Sequence, residues 1–336
     1  MRVAFFSAKS YDRKFFTERL KQFRHELIFL EPHLSQDTCK LAFGFEVVCV
    51  FVHDRLDREV LKRVAEHGTR LVALRCAGFN NVDLNAAKDF NLTVVRVPAY
   101  SPYGVAEHAV ALILALNRKI YRAYNRVRDG NFSLDGLLGF EIYGKTVGIL
   151  GTGKIGRAMV SIMKGFGCRV LVYDLVQNPD CAALGADYVE KETLFEQSDI
   201  ISLHLPLAKE THYLIDEKAL ARMKDQVMLI NTSRGGLIDS RCLIEGLKNG
   251  KIGYLGLDVY EEEESLFFED KTGEVIQDDI FARLLTFPNV LITGHQAFFT
   301  NVALENIAHT TLANISAFEE NRLSPMDLVK VEESAR

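Results

Sequence analysis

The sequence predicts an α/β protein of two doubly wound parallel-sheet domains, the second inserted in the first. Three observations carry this. Strand-like and helix-like segments alternate almost throughout, the pattern of parallel sheets covered by helices. The chain has 336 residues, enough for about two domains of ~150 residues. The spacing G-x-G-x-x-G follows an apolar run within residues 147–156 and stands in mid-chain.

The leading hundred residues read as an α/β unit without a glycine fingerprint. Residues 3–7 read as a strand and 11–22 as a helix. Residues 46–52 (EVVCVFV) read as a strand, continuously apolar after Glu46, as a strand buried on both faces requires. An amphipathic helix follows at 57–67, and further strands at 70–76 and 93–97. Pro98 breaks the pattern. A long helix then starts at Ser101-Pro102, with serine as N-cap and proline at the first helical position. It runs to Leu116 and is so apolar that a sheet or a partner subunit must cover it. A polar stretch occupies 128–136.

A second unit begins near Lys145. Its strands are 147–150, 169–174, 199–205, 227–231, 253–258 and 290–293, with a helix at 240–249. That makes about six strands, the number in a two-halved doubly wound sheet. Residues 301–318 are helical again. Both units are thus expected to be Rossmann/flavodoxin-like. Residues 1–100 and 299–336 form the expected substrate domain, and 101–298 the expected dinucleotide-binding domain. Two chain crossings at one place imply a hinge.

Composition narrows the function classes. The chain is 48% hydrophobic and 25% charged, with a net charge of −5 and no sustained basic run. A nucleic-acid role has no electrostatic support. No apolar run approaches the ~20 residues that span a bilayer. The opening apolar stretch is too short for a signal peptide and reads as a strand. The six cysteines (Cys39, Cys49, Cys76, Cys168, Cys181, Cys242) show no C-x-x-C spacing. They read as reduced core residues of a cytoplasmic protein, and no metal centre is expected.

The glycine motif has a physical logic. Gly151 permits a tight turn, Gly153 lets backbone approach a pyrophosphate, and Gly156 lets helix pack on strand. The helix N-terminus offers unpaired N–H groups to phosphates. Asp174 lies 23 residues past Gly151, near the ~20 expected of a ribose-binding carboxylate. An acid there would repel a 2′-phosphate, which favours NAD over NADP.

Three polar positions then stand at the carboxyl ends of later strands, where open α/β sheets bind ligands. Arg234, in Asn231-Thr232-Ser233-Arg234-Gly235-Gly236, can grip a carboxylate in bidentate fashion, or be a surface arginine. An acid lies somewhere in Glu261-Glu262-Glu263-Glu264, a run otherwise expected to be solvated. His295, after Gly294, suits a general acid, and a neighbouring carboxylate would favour that role. His108, inside the long helix, reads as structural. His204, at a strand end, reads equally as an edge of the cofactor site or as structural.

Together these motifs resemble the D-2-hydroxyacid dehydrogenase family. The likeness runs the length of the chain. It includes Arg75-Cys76-Ala77-Gly78-Phe79-Asn80-Asn81-Val82-Asp83, Val97-Pro98-Ala99-Tyr100, Asn231-Thr232-Ser233-Arg234-Gly235, Gly256-Leu257-Asp258-Val259-Tyr260 and Gly294-His295-Gln296-Ala297-Phe298. Leu266-Phe267-Phe268-Glu269-Asp270 and His295–Phe298 resemble the fermentative, lactate-forming branch. The resemblance implies that Glu263 is the catalytic acid, with Glu261, Glu262 and Glu264 left solvated. It implies that Lys154, Ile155, Asp174, Leu205, Pro206, Thr211, Thr232, Ser233 and Asp258 join the glycines at the NAD site. Ala77 and Gly78 would offer N–H groups to the substrate carboxylate, and Tyr100 and Phe298 would shape the pocket around a small methyl group.

The implied reaction is NADH-dependent reduction of pyruvate to D-lactate, regenerating NAD. Arg234 would orient the 2-oxoacid, His295 would supply the proton, and Glu263 would hold His295. Two alternatives stay open at this point: a dehydrogenase for a larger 2-oxoacid, and an NAD-sensing regulatory protein of the same family. A homodimer or homotetramer is expected, with no nucleic-acid or membrane partner.

Overall fold

A computed structural model describes residues 1–263 and 266–330. In chain order the elements are β1 (Arg2–Phe5), α1 (Ser10–Leu20), β2 (Glu26–Phe29), β3 (Val47–Val50), α2 (Arg58–Glu66), β4 (Leu71–Leu74), α3 (Leu84–Asp89) and β5 (Thr93–Val95). There follow α4 (Pro102–Asn117), α5 (Ile120–Arg128), β6 (Thr146–Leu150), α6 (Lys154–Gly165), β7 (Arg169–Tyr173), α7 (Pro179–Ala183), β8 (Asp187–Tyr188), α8 (Lys191–Gln197) and β9 (Ile200–Leu203). The chain continues with α9 (Glu217–Arg222), β10 (Val227–Asn231), α10 (Ser240–Lys248), β11 (Ile252–Leu257), α11 (Asp279–Leu284), β12 (Val290–Ile292) and α12 (Asn301–Glu319). Two compact units result, Met1–Ser101 with Phe299–Arg336, and Pro102–Phe298.

The first unit holds a parallel sheet in the order β2-β1-β3-β4-β5. Every residue of β3 (VVCV) and β4 (LVAL) is buried. Helices therefore cover both faces, which is why these strands lack polar alternation. α12 packs on α1 and β4, so the end of the chain completes the unit begun by its start. Asp57 and Asp83 cap α2 and α3 by accepting from Val60 and Ala86 N–H, the usual repair for unpaired donors at a helix start.

The second unit holds a parallel sheet in the order β12-β11-β10-β9-β6-β7-β8. Among the described residues it has seven strands, where the sequence suggests about six. The addition is β8, two residues pairing with β7 at the sheet edge. The order reverses between β6 and β9, and this switch point places a crevice beyond the strand carboxyl ends. α4 begins at Pro102, as expected. Its buried side, including Ala106, Val110, Ile113 and Leu116, packs on α6, β10, β11 and β12. The unit's own sheet thus covers the apolar helix, which no longer argues for a partner subunit.

Candidate active site

The glycine loop leaves β6 and opens α6. Gly151 has φ +98°, and a Cβ there would lie 2.4 Å from the His204 carbonyl oxygen. The turn therefore excludes any side chain twice over, by conformation and by space. At Gly156 a Cβ would lie 1.9 Å from Gly151 O, while at Gly153, the N-cap of α6, it would meet nothing within 4 Å. The first contact closes helix on strand. The second leaves open space over the positive end of a 12-residue helix. Lys154 and Ile155 open that helix.

Asp174, just beyond β7, accepts from Thr152 N–H at 2.5 Å and Thr152 Oγ1 at 3.0 Å. It is half-buried, and these bonds hold the carboxylate against the glycine loop. Two polar atoms in the same region are buried without protein partners: His204 Nδ1 and Thr232 Oγ1. They stand just past β9 and β10. Burial pushes the His204 imidazole down to about 4, so it is neutral near pH 7, with Nε2 bonded to Ser202 Oγ at 2.9 Å. Orphaned buried polar atoms beside an open helix N-terminus fit a polar ligand such as a dinucleotide. Leu205 and Pro206 follow β9. Thr211 Oγ1 closes their turn, donating to Pro206 O at 2.7 Å and accepting from Ala208 N–H at 2.8 Å.

The loop after β10 is internally braced. Asn231 Oδ1 accepts from Ser233 N–H at 3.0 Å, and its Nδ2 donates to Arg234 O at 2.8 Å. Ser233 Oγ donates to Leu203 O at 2.9 Å. Among the described residues the Arg234 guanidinium has one hydrogen bond, to its neighbour's carbonyl, Ser233 O, at 2.7 Å. No carboxylate among the described residues pairs with it, which leaves its fork available to an acid ligand.

The adjacent strand ends carry an acid–imidazole pair. Glu263 Oε1 lies 2.7 Å from His295 Nδ1, and Glu263 Oε2 accepts from Tyr260 N–H at 2.9 Å. The two side chains are 17% and 16% exposed, enclosed yet reachable. His295 adopts φ +51°, uncommon for a non-glycine residue. Its N–H donates to Asp258 O at 2.7 Å. Asp258 is fully buried and accepts from Gln296 N–H, Ala297 N–H and Thr293 Oγ1 at 2.9, 2.8 and 2.5 Å. Burial alone raises this carboxyl. The hydrogen bonds from His108, Thr293 and the two backbone groups outweigh it and hold the group below the ordinary aspartate value. Asp258 thus grips the turn that presents His295. Phe298 lies on that turn, its ring 6.4 Å from His295.

His108 fits its structural reading, standing 3.0 Å from Thr293 Oγ1 and 3.3 Å from Asp258 Oδ1. Among the neighbouring acids, Glu262 is exposed as expected, and Glu264 falls outside the described residues. Glu261 corrects its solvated reading: it accepts from the Tyr213 hydroxyl, and that bond helps push the phenol up to about 12. Nothing in a glutamate run signals one tyrosine partner 48 residues away.

In the first unit, Ala77 and Gly78 lie just beyond β4. No group among the described residues accepts from either N–H. Successive unpaired amides at a strand's carboxyl end suit an anion. Tyr100 belongs to the same unit, its carbonyl accepting from Asn306 Nδ2 at 2.7 Å. A position the sequence reading passed over is Arg75, buried two residues before Ala77 and paired with Asp12 at 3.4 Å.

Among the described residues no helix is long and apolar enough to cross a membrane. No group of three His, Cys, Asp or Glu side chains there is placed to hold a metal.

The chain is similar to known proteins along most of its length. Residues 110–297 match the family model described as D-isomer specific 2-hydroxyacid dehydrogenase, NAD binding domain. The chain is 54% identical over 329 residues to the D-lactate dehydrogenase of Escherichia coli K12, covering 98% of this chain and 100% of that one. It superimposes with a TM-score of 0.91 on the structure described as the pyruvate reductase of Chlamydomonas reinhardtii, at 48% identity, covering 96% and 97% of the two chains. A third similar structure, the Aquifex aeolicus D-lactate dehydrogenase complexed with NAD and lactic acid, gives a TM-score of 0.85 at 37% identity, covering 95% and 96%. The chain belongs to the D-isomer specific 2-hydroxyacid dehydrogenases. It is an NAD-dependent oxidoreductase.

Proposed function

We propose that this enzyme reduces pyruvate to D-lactate with NADH. The observation that carries the reading is the Glu263–His295 pair, 2.7 Å apart, in the same unit as an Arg234 that no described carboxylate engages, in a chain so similar to named D-lactate dehydrogenases. NADH, when bound, supplies the hydride to C2 of the 2-oxoacid. Arg234 binds the substrate and polarises its carbonyl. Glu263 holds His295 through Nδ1, so Nε2 is the atom that delivers the proton to the carbonyl oxygen. The Ala77 and Gly78 amides receive the carboxylate, while Tyr100 and Phe298 limit the space for its methyl group. Residues 1–100 with 299–336 then serve the substrate, and 101–298 the cofactor.

Gly151, Gly153, Lys154, Ile155 and Gly156 would hold the pyrophosphate and Asp174 the adenosine ribose. Leu205, Pro206, Thr211, Thr232, Ser233 and Asp258 would line the remainder. Regeneration of NAD in the cytoplasm is the physiological role proposed.

The test compares NADH oxidation with pyruvate, 2-oxobutyrate and phenylpyruvate. The reading expects pyruvate to have the highest kcat/KM. A preference for phenylpyruvate would move the substrate to a larger 2-oxoacid, and no turnover with any would favour an NAD sensor.

Self-association is proposed as well, through α5 and the segment after it. Ile120, Tyr124, Val127, Phe132, Leu134 and Leu138 are each more than half exposed, a concentration that marks contact surface. The same segment carries Arg118, Arg122 and Arg126 as well as Asp129, Asp135 and Glu141, charges of both signs that a self-complementary twofold contact can pair. Leu134→Glu with Leu138→Glu should lower the sedimentation mass to that of a monomer. An unchanged mass would rule this surface out.

A further inference from the structure

The two unpaired amides of the first unit are aimed from behind. Val97 N–H donates to Cys76 O at 3.1 Å, on the peptide that carries Ala77 N–H, and Arg96 Nη1 donates to Ala77 O at 3.3 Å, on the peptide that carries Gly78 N–H. A trans peptide is planar, so its C=O and N–H point in opposite directions. A donor on Ala77 O therefore fixes where Gly78 N–H points. A cationic donor also polarises that peptide, which strengthens the N–H as a donor on the other side.

Arg96 is itself well placed to hold the turn. Its guanidinium carbon lies 4.9 Å from the centre of the Phe79 ring, the residue that follows the amide pair. Its backbone N–H donates to Asp327 O at 2.9 Å, and its carbonyl accepts from Asn314 Nδ2 at 2.9 Å. The side chain thus reaches the amide turn from a backbone pinned by α12 and the segment that follows it.

We propose that Arg96 is a positioning residue for the substrate carboxylate, acting through the Ala77–Gly78 peptide without touching the substrate. The inference rests on the reading that Ala77 and Gly78 receive that carboxylate. It makes carboxylate affinity, rather than the chemical step, the property that Arg96 controls.

The experiment uses the full-length enzyme with Arg96→Met and Arg96→Gln. Met keeps the length without the charge, and Gln is polar but too short to reach Ala77 O. Three quantities are measured: kcat and KM for pyruvate, the inhibition constant of oxamate at saturating NADH, and NADH affinity from cofactor fluorescence. Loss of one charge-assisted bond should raise KM about ten- to a hundredfold, with the oxamate constant rising in parallel. kcat and NADH affinity should stay within about threefold of wild type, which a general loosening of the fold would not allow. Should the Met variant fail to fold, the Gln variant carries the same expectation. Unchanged KM and oxamate inhibition in a folded variant would overturn the proposal, as would a fall in kcat with KM unchanged. Wild-type enzyme without activity on any 2-oxoacid would instead overturn the underlying reading of the site.

Discussion

Two pairs of a nitrogen base and a carboxylate sit at carboxyl ends of parallel strands, one in each unit, and they differ in what surrounds them. Arg75 and Asp12, 3.4 Å apart, are 2% and 6% exposed. His295 and Glu263, 2.7 Å apart, are 16% and 17% exposed. Each pair adjoins a residue in left-handed backbone conformation, Ser7 at φ +54° and His295 at φ +51°. The first pair is sealed. The Arg75 guanidinium lies 4.4 Å from the Phe5 ring centre and 4.9 Å from that of Phe51, and donates to Ser7 O at 2.9 Å. Asp54, buried nearby, accepts from Ser7 Oγ, Leu34 N–H and Phe51 N–H. Burial raises its carboxyl despite these bonds and the Arg75 charge. The second pair commits one imidazole nitrogen and leaves the other without a partner among the described residues. Similar chemistry is thus a structural tie where it is sealed, and leaves one atom available where it is open; the proposed proton donor is of the second kind.

Four perturbations would break or sharpen that contrast. The largest effect is expected at the open pair: His295→Gln should lower kcat by roughly 10²–10⁴ while the thermal midpoint barely moves. Near-normal turnover would remove His295 from the chemistry. The sealed pair should respond in the opposite currency. Arg75→Met leaves Asp12 and Asp54 uncompensated and should destabilise the first unit by about 3–5 kcal/mol in urea titration. Adding Asp12→Leu should recover part of that, and a loss of under about 1 kcal/mol for the single variant would contradict the sealed-pair account.

Glu263→Gln tests the acid's charge with its shape retained. It should cost about 1.5–3 kcal/mol in transition-state stabilisation, read from kcat/KM, with little change in folding. Equal activity would mean that geometry alone orients His295. The smallest effect concerns His204, depressed by burial from 6.5 to about 4. Its folded-state value lies below its unfolded one, so the unfolded chain binds the extra proton first. Its contribution is present above about pH 6.5 and is lost as pH falls toward 4, amounting to about 2 kcal/mol by pH 5. Urea midpoints at pH 5 and 7 should therefore differ less in His204→Gln than in wild type. An identical pH slope would show that this imidazole is not held neutral.

The legible parts of the molecule are those with local signals. The central strands were readable because burial on both faces demands continuous apolar runs. α4 was readable from Pro102 and its apolar length. β2 and β8 were not, since they are edge strands of four and two residues with exposed positions. α5 is preceded by Lys119 in a left-handed conformation without a side-chain cap, so no start signal marks it. At the site, the glycine motif and Asp174 follow a spacing rule. The choice of Glu263 among four adjacent glutamates came from family resemblance, because a charge run carries no internal mark of which member meets a histidine.

By itself the sequence determined the class of each sheet, the glycine turn that only residues without a Cβ can make, and the types of group available for hydride-transfer chemistry. Tertiary structure decided which of those groups are committed and which are free. Arg75 and Arg234 are the same residue type, each just past a parallel strand, yet one is enclosed by rings and acids and the other keeps its fork open. That difference depends on neighbours distant in sequence, such as Asp12, Phe5 and Phe51 for Arg75. Burial and pairing are properties of the folded environment rather than of the residue, and they separate a charge that holds the fold from one left available for chemistry.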